Sequence, residues 1–337
     1  MTPATDPVAK NEPDFCSYGA RYLLRLLPAF SGEIEGVREA GDVEPVHRMR
    51  VASRRLRAAL PLFSSCLPEK KYREWFREVR RTTRALGSAR DLDVQIAFLE
   101  HYRETHVGVQ RSRGRTRTSQ VAAALPALDH LISLLKKKRS ALQPRIQIRL
   151  EELEECRVVE EMEDLLEGLV KKPKKGRKKK KIYPTAYREI ALHLEVLLSF
   201  EQWVYVEDAV AELHRMRIAA KKLRYTMEIF APLYGTGLKE PLRAVKRVQE
   251  ELGAIHDCDV WIMTLPEFIR EESEHAAETA MPKQTRGGNV PDILGLLEDR
   301  KCERKDLYEK FVVTWKSTRL EGILEGIPLL LSGYQDR

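Results

Sequence analysis

Two short stretches of the sequence carry closely spaced cationic side chains that are suited to binding an anion. At ~100° of rotation per residue, four of the cationic side chains of residues 46–63 fall on one stripe of a helix, and four of those of residues 213–230 do the same. The stripe residues are His47, Arg50, Arg54 and Arg57 in the first stretch, and His214, Arg217, Lys221 and Arg224 in the second. Arginine's planar fork makes bidentate contacts with phosphate oxygens, and lysine adds a compact mobile charge. Both stretches are therefore candidate phosphate-binding elements.

A second pair of basic stretches follows further along the chain. Its stripe residues are Arg77, Arg80, Arg81 and Arg84 in the first stretch, and Arg243, Lys246 and Arg247 in the second. Glu250 interrupts the second stripe where Arg84 extends the first. If these helices pack by their apolar sides at the usual separation of ~8–10 Å, the stripes line a common basic groove that suits a linear phosphate chain.

Amphipathic helices are the elements that must position these cations. The apolar side chains opposite the stripes are Met49, Ala52, Leu56, Leu60 and Phe63 in residues 46–63, and Met216, Ala219, Leu223, Met227 and Phe230 in residues 213–230. Asp42 and Asp208 precede these helices and are expected to cap their first turns. Residues 46–63 contain five arginines and no carboxylate, so their charges repel one another without an intrahelical partner. An anion bound from outside would compensate them, and His47 and His214 would add charge between about pH 8 and pH 6.

The ordinary alternative is that these stripes are solvated helix faces whose charges pair with carboxylates of neighbouring helices. Recurrence of the stripes in two parts of the chain favours the binding interpretation.

An internal repeat relates the two parts of the chain. Residues 46–63 match residues 213–230 at eight of 18 positions, and residues 79–96 match residues 245–262 at eight of 18, in the same order. Such ordered matches predict a duplication. We expect an all-α fold of two helical bundles of about four helices each, related by a pseudo-two-fold axis. The first half is residues 1–170, the Lys-rich linker is residues 171–181, and the second half is residues 182–337.

Composition limits the remaining possibilities. The chain of 337 residues is 43% hydrophobic, which is enough for a core. Its formal net charge is +8, and residues 171–181 alone carry nine basic residues and no acidic one, so the remaining residues sum to −1. The argument for an anionic partner therefore rests on where the arginines lie. No apolar stretch approaches the ~20 residues of a membrane span, which predicts a soluble, cytoplasmic protein without membrane association. The five scattered cysteines suggest neither a disulfide framework nor a zinc cluster, and we expect buried thiols.

The motifs HRMRVASRRLR and HRMRIAAKKLRY, each followed by an LGxxxDxDV segment, resemble the CHAD family, the conserved histidine α-helical domain. The similarity runs from about Phe15 to Leu331. It implies two four-helix bundles with a central basic cavity, binding of inorganic polyphosphate, and association with polyphosphate granules. The namesake histidines match His47 and His214, and the basic positions match the arginines and the lysine of the two motif stripes. Many relatives carry a fused CYTH domain, whose ExExK strand is absent here, so the resemblance is to a stand-alone CHAD protein.

Two alternatives stay open at the level of sequence. His256 and Asp257 form an HD dipeptide typical of helical metal phosphohydrolases, with His47, His214 and His275 as further ligand candidates. The repeat places Arg90 at the position of His256, and arginine does not ligate metals.

The aspartates recur in both halves, since Asp91 and Asp93 match Asp257 and Asp259. They therefore fit better as helix caps or as partners of the motif arginines. We expect no catalytic residue, metal site or cofactor, although a divalent cation escorting the polyanion is compatible with the groove.

Nucleic-acid binding is the second alternative, because a basic groove attracts any polyphosphodiester. Only Tyr225, beside Arg224, interleaves with the stripe cations, so base stacking has little support and weak non-specific binding is the expectation.

Overall fold

The chain folds into α-helices that pack on one another. The computed structural model describes residues 13–112, 125–171, 180–278 and 291–334, and within these ranges it contains no strand. The α-helices are α1 (Phe15–Leu24), α2 (Leu27–Ser31), α3 (Ile34–Glu39), α4 (Glu44–Leu62), α5 (Glu69–Ser112), α6 (Pro126–Glu155), α7 (Val158–Lys171), α8 (Ile182–Leu198), α9 (Val210–Phe230), α10 (Lys239–Glu278), α11 (Pro291–Leu320) and α12 (Gly326–Ser332). The predicted all-α class is confirmed. None of the helices in the described ranges is long and apolar enough to cross a membrane.

Helices α4 and α9 carry the two motif stripes. Pro45 lies in the first turn of α4, where its fixed φ and missing N–H are tolerated. The apolar residues predicted to lie opposite the stripes are all buried in both helices. Asp42 accepts a hydrogen bond from the Glu44 amide at 3.1 Å, as expected of a residue near the helix start. The equivalent prediction for Asp208 is wrong, because α9 begins after Ala209 without a side-chain cap.

The longest helices connect the motif helices to the rest of the fold. α5 has 44 residues and α10 has 40, which correspond to lengths of ~66 Å and ~60 Å. α4 packs on α5 and α5 on α6, and in the same order α9 packs on α10 and α10 on α11. α4 also contacts α9 directly, which brings the two motif helices together.

The hydrophobic core is shared between the two halves of the sequence. The main buried cluster includes Met49 and Leu56 of α4 together with Met216 and Leu223 of α9. A second cluster lies at the far ends of the long helices, where Leu99 and Leu128 pack in the same cluster as Trp261, Leu265 and Ile293. The halves are therefore joined by packing in both clusters. Most of the Lys-rich linker, residues 172–179, lies outside the described residues.

The second aspartate of each LGxxxDxDV motif is a buried structural residue. Asp93 accepts a hydrogen bond from Arg139 of α6 at 2.7 Å, and Asp259 accepts one from Arg304 of α11 at 2.5 Å. The expectation that these aspartates cap helices or pair with motif arginines is wrong. Asp93 lies two residues after Asp91, or ~200° around α5, so it faces α6 instead of α4.

The cysteines also depart from the sequence-based expectation. Cys16 and Cys66 form a disulfide that ties α1 to the turn between α4 and α5. Of the free thiols, Cys258 is buried as expected, whereas Cys156 is partly exposed and Cys302 is exposed. The two bridged cysteines are 50 residues apart, so only the packing of α1 beside the end of α4 reveals the pair.

We predict that Arg139→Met destabilises the protein by ~3–5 kcal/mol, because it leaves the buried Asp93 carboxylate without a counter-charge. The matched control is Arg73→Met, which removes an exposed ion pair with Glu69 and should cost ~0–1 kcal/mol. Urea unfolding followed by circular dichroism gives both values. Equal unfolding midpoints for the two variants would contradict a structural role for the Asp93–Arg139 pair.

Candidate anion-binding site

The two motif stripes meet at Tyr225, where α4 and α9 pack together. The guanidinium carbon of Arg54 lies 5.6 Å from the centre of the Tyr225 ring, and that of Arg224 lies 5.1 Å from it. Both are cation–π distances. Arginines from the two halves of the sequence thus share one half-buried aromatic ring. The cations Arg50, Arg54, Arg217, Lys221 and Arg224 are called the central cluster below.

Each LGxxxDxDV motif provides a flat glycine surface beneath a motif arginine. A Cβ atom added at Gly87 would lie 3.8 Å from Nε of Arg50, and one added at Gly253 would lie 3.7 Å from Nε of Arg217. Both Nε atoms are buried and have no hydrogen-bond partner within the described residues. A buried N–H normally has an acceptor, so these two donors are unsatisfied. Sequence reasoning missed the glycines, although they recur in the repeat.

The first aspartate of each LGxxxDxDV motif offsets part of the positive charge of a motif arginine. Arg50 donates a hydrogen bond to Oδ1 of Asp91 at 3.2 Å, which confirms that this aspartate is a partner of a motif arginine. Asp257 makes no such bond, but its carboxyl interacts electrostatically with Arg217 and then with Lys221. Burial nevertheless has the larger effect and raises the pKa of Asp257.

Lys221 lies among the arginines of both motif helices. Burial lowers the pKa of its ammonium group to about 7, and repulsion from Arg54, Arg217, Arg50 and Arg224 contributes further. Its Nζ has no carboxylate within 4.0 Å in the part of the chain that the structure describes. A buried cation without a counter-ion is costly, so a bound anion would stabilise the protonated lysine.

The cationic surface continues from α4 onto α5. Burial lowers the pKa of Arg57, and the charges of Arg80, Arg54 and Arg84 lower it further, so these arginines lie close together. A shallow concavity of about 320 Å³ follows α5 and is called the α5 concavity below. It is lined by Arg73, Phe76, Arg77, Arg80, Arg81 and Arg84.

Neighbouring carboxylates pair with some of the stripe cations and leave others without a partner. Arg77 and Arg81 contact the buried Glu78, and Arg81 also donates to Glu152 at 2.9 Å. In the second half, Arg243 pairs with Glu240 and Lys246 with Glu250. These positions are paired, but Glu78, Glu240 and Glu250 lie on the same helices as their partners. Among these pairs, only Glu152 of α6 is a carboxylate of a neighbouring helix, as the ordinary alternative expected.

Of the remaining stripe cations, Arg50 pairs with Asp91 at 3.2 Å and Arg224 with Glu228 at 3.5 Å, and the other arginines and the lysine are not paired among the described residues. Within the described ranges, no carboxylate lies within 4.0 Å of Arg54, Arg57, Arg80, Arg84, Arg217, Lys221 or Arg247. By contrast, Arg48 and Arg215, which lie off the stripes of α4 and α9, pair with Glu33 and Glu212. Carboxylates thus accompany the off-stripe arginines, whereas on the stripes of α4 and α9 they pair only with Arg50 and Arg224 in the described structure.

The namesake histidines occupy equivalent positions with different partners. Nδ1 of His214 lies 3.1 Å from Nδ1 of His256, whose pKa is lowered to about 4 by burial and then by Arg217. His47 lies near Arg90, the repeat counterpart of His256, and its pKa is lowered by burial and then by Arg90. Burial likewise lowers the pKa of His214.

The HD dipeptide is therefore divided between two environments. His256 contacts His214, whereas Asp257 lies in the field of Arg217 and Lys221. Among the described residues, no group of three or more His, Cys, Asp or Glu side chains is placed to hold a metal ion. The side chain of His275 lies outside the described residues.

Comparisons with known proteins agree with this arrangement of helices. The family model of the CHAD domain matches residues 21–266, which include both copies of each motif. The crystal structure of the CHAD domain from the plant Ricinus communis is 23% identical, with a TM-score of 0.59, and the match covers 90% of this chain and 95% of that one. PptA from Streptomyces chartreusis is 15% identical, with a TM-score of 0.56 and coverage of 90% and 100%. No curated protein matches the sequence. The chain belongs to the CHAD domain family.

Proposed function

We propose that this protein binds inorganic polyphosphate along the central cluster and the α5 concavity. The observation that carries the proposal is the set of stripe cations without carboxylate partners, contributed by α4, α5 and α9. Lys221 is the clearest member, because it is half-buried among arginines of both halves. Repulsion among these cations stores unfavourable energy that a polyanion would relieve.

A linear phosphate polymer fits this surface better than a compact anion. The unpaired cations extend from Arg217 and Lys221 on α9, through Arg54 and Arg57 on α4, to Arg80 and Arg84 on α5. Polyphosphate carries its charges at regular intervals and has no side groups, so it satisfies such a line in any register. Association with polyphosphate granules follows from this binding and from the family resemblance.

We further propose that the protein acts by binding and not by hydrolysis. His256 of the HD dipeptide contacts His214. The carboxylate of Asp257 interacts electrostatically with Arg217 and offsets the charge of this ligand-binding cation.

Charge reversal provides the direct test of the binding surface. We expect Arg54→Glu with Lys221→Glu to abolish polyphosphate binding without changing the helical content, because both side chains lie on the sides of their helices opposite the buried apolar faces. The matched control is Lys138→Glu with Lys305→Glu, which makes the same change in net charge at exposed positions outside the stripes and should retain most of the affinity. Fluorescence anisotropy with labelled polyphosphate measures binding, and circular dichroism monitors folding. Loss of binding in both variants would show that overall charge, and not the surface, determines affinity.

Competition against single-stranded RNA tests the choice of polymer. The ring of Tyr225 already contacts Arg54 and Arg224, so it is not free to stack on a base, and RNA should compete weakly. Affinity for polyphosphate should fall steeply with salt, since each neutralised phosphate releases counterions, as duplex DNA does with a log–log slope of ~−0.9 per contact. Equal affinity for RNA, or a salt dependence close to zero, would contradict this proposal.

The pH dependence of binding should follow Lys221. In the free protein its pKa is about 7, and a bound polyanion raises that pKa, so binding takes up a proton. Affinity should be highest below about pH 7 and should fall at higher pH by at most ~tenfold per unit, as expected for one linked proton. Lys221→Arg should remove this dependence, because arginine stays charged.

The sequence-based expectation placed the pH response between about pH 8 and pH 6 on His47 and His214. Burial lowers the pKa of both imidazoles, so their contribution belongs at more acidic pH. A pH profile of affinity that is unchanged in Lys221→Arg would exclude Lys221 as the titrating group.

A further inference from the structure

The two sides of the central cluster differ at positions that the internal repeat makes equivalent. In the alignment of residues 46–63 with residues 213–230, Tyr225 of α9 corresponds to Ala58 of α4. Both residues are half-buried. An aromatic ring thus occupies one side of the cluster, whereas the equivalent position on the other side carries only a methyl group. The repeat therefore diverges next to the cations of the proposed binding surface.

The side of the cluster at Tyr225 combines bulk with negative charge. The ring lies 5.6 Å from the guanidinium carbon of Arg54 and 5.1 Å from that of Arg224. One turn after Arg224 on α9, Glu228 places a carboxylate oxygen 3.5 Å from the Arg224 Nε. Tyr22 of α1 is half-buried and interacts electrostatically with Glu228 and Tyr225. A phosphate chain that continued in this direction would meet two aromatic rings and a carboxylate.

The long helices repeat this contrast. Arg84 of α5 aligns with Glu250 of α10, and both side chains are exposed. Glu250 lies 3.7 Å from Lys246 and so offsets a stripe cation of its own helix. On α5, neither Arg80 nor Arg84 has a carboxylate within 4.0 Å in the part of the chain that the structure describes. The cationic line therefore continues onto α5 and is weakened on α10.

The side of the cluster at Ala58 leads into open, cationic space. Arg57, the residue before Ala58, is exposed and lies within electrostatic range of Arg80 and Arg84. The α5 concavity of about 320 Å³ includes these two arginines of α5 in its lining. Pro61 takes the position that Glu228 has in the second half, so the carboxylate found there has no counterpart here. A chain that leaves the cluster in this direction meets unpaired arginines.

Carboxylates also border the cluster towards the other end of α4. Asp91 follows Arg84 by seven residues, about two turns, so it lies on the same side of α5 and ~10 Å further on. It accepts a hydrogen bond from Arg50 at 3.2 Å. Burial raises the pKa of Asp257, and the charge of Asp91 adds to this effect, so the two carboxyl groups are close to each other. Their charges oppose a phosphate chain that extends past Arg50.

We infer that the site binds the end of a polyphosphate chain, with the terminal phosphate in the central cluster and the following phosphates along the α5 concavity. The inference rests on the proposed function and specifies which part of the polymer is bound. A line of cations alone accepts the polymer in any register, and the closed side adds a stop that selects its end. A terminal phosphate has a second ionisable oxygen, of pKa ~6 in phosphate monoesters, so it carries more charge than an internal one.

Stoichiometry separates end binding from binding along the chain. A linear polyphosphate has two ends whatever its length, whereas the number of internal sites grows with length. We expect two protein molecules per chain for long, size-fractionated polyphosphates of different lengths, measured by analytical ultracentrifugation with excess protein at physiological salt. A number of bound proteins that grows in proportion to chain length would overturn the inference and leave the proposed function intact. No binding at any length would contradict both.

Blocking the ends of the polymer is a second test with the wild-type protein. Carbodiimide coupling of a bulky amine converts both terminal phosphates into phosphoramidates, and a mock reaction without the amine gives the matched control. The total charge of a long chain is almost unchanged by this treatment. We expect the affinity in isothermal titration calorimetry to fall on the order of tenfold or more, because the blocked end loses a charged oxygen and gains bulk. Equal affinity for blocked and mock-treated chains would overturn the inference.

Opening the closed side is the test in the protein. Tyr225→Ala with Glu250→Arg installs the residues that the first half has at these positions, so binding should no longer depend on chain ends. The number of bound proteins should then grow with chain length. Glu267→Arg, the same charge change at an exposed position further along α10, is the matched control and should keep two proteins per chain.

Circular dichroism checks that the double variant is folded. If the loss of the Tyr225 ring unfolds it, the exposed position Glu250→Arg alone should still raise the number of proteins bound to long chains. A folded variant that keeps two proteins per chain would show that these residues do not form the stop, and the inference would be wrong.

Discussion

The packing of α4 against α9 forces like charges together, and the functional surface depends on this constraint. Apolar residues such as Leu56 and Leu223 bury one side of each helix in a common core. The opposite sides then bring Arg54, Lys221 and Arg224 to the same place. Hydrophobic burial of ~1.5–3 kcal/mol for each large side chain is sufficient to hold such cations close, although their charges oppose the contact. The unpaired cations are therefore a consequence of packing, and an anionic ligand would remove their cost.

On the long helices α5 and α10, helical periodicity places the residues beside the motif arginines and the residues that stabilise the fold on different sides of the helix. On each helix the motif glycine lies under an arginine of the neighbouring motif helix, as Gly87 does under Arg50. The second motif aspartate lies on another side of the same helix and forms a buried ion pair, as Asp93 does with Arg139. One motif thus serves two interfaces, because residues six positions apart point ~240° away from each other and face different neighbours. The glycine and the first aspartate lie beside the motif arginine, and the second aspartate forms the ion pair that holds the next helix.

The repeat also creates asymmetry at equivalent positions. His47 lies near Arg90, whereas its counterpart His214 contacts His256. Arg80 and Arg84 of α5 are unpaired in the described structure, while Lys246 of α10 pairs with Glu250. The α5 concavity consequently has no equally cationic counterpart on α10 among the residues described. The cationic surface is concentrated on α4, α5 and the facing side of α9.

The sequence by itself determined the helical class, the two motif stripes and the apolar faces opposite them, because these depend on local periodicity. It also identified the family, through motifs that recur in one order. Tertiary structure alone decided which stripe cations are unpaired, since Glu78 and Glu152 reach Arg81 only through packing. The disulfide between Cys16 and Cys66, the burial of Asp93 and Asp259, and the lowered pKa of Lys221 likewise arise from segments distant in sequence. Charge and spacing are properties of the chain, whereas desolvation and pairing depend on neighbours that only the folded structure supplies.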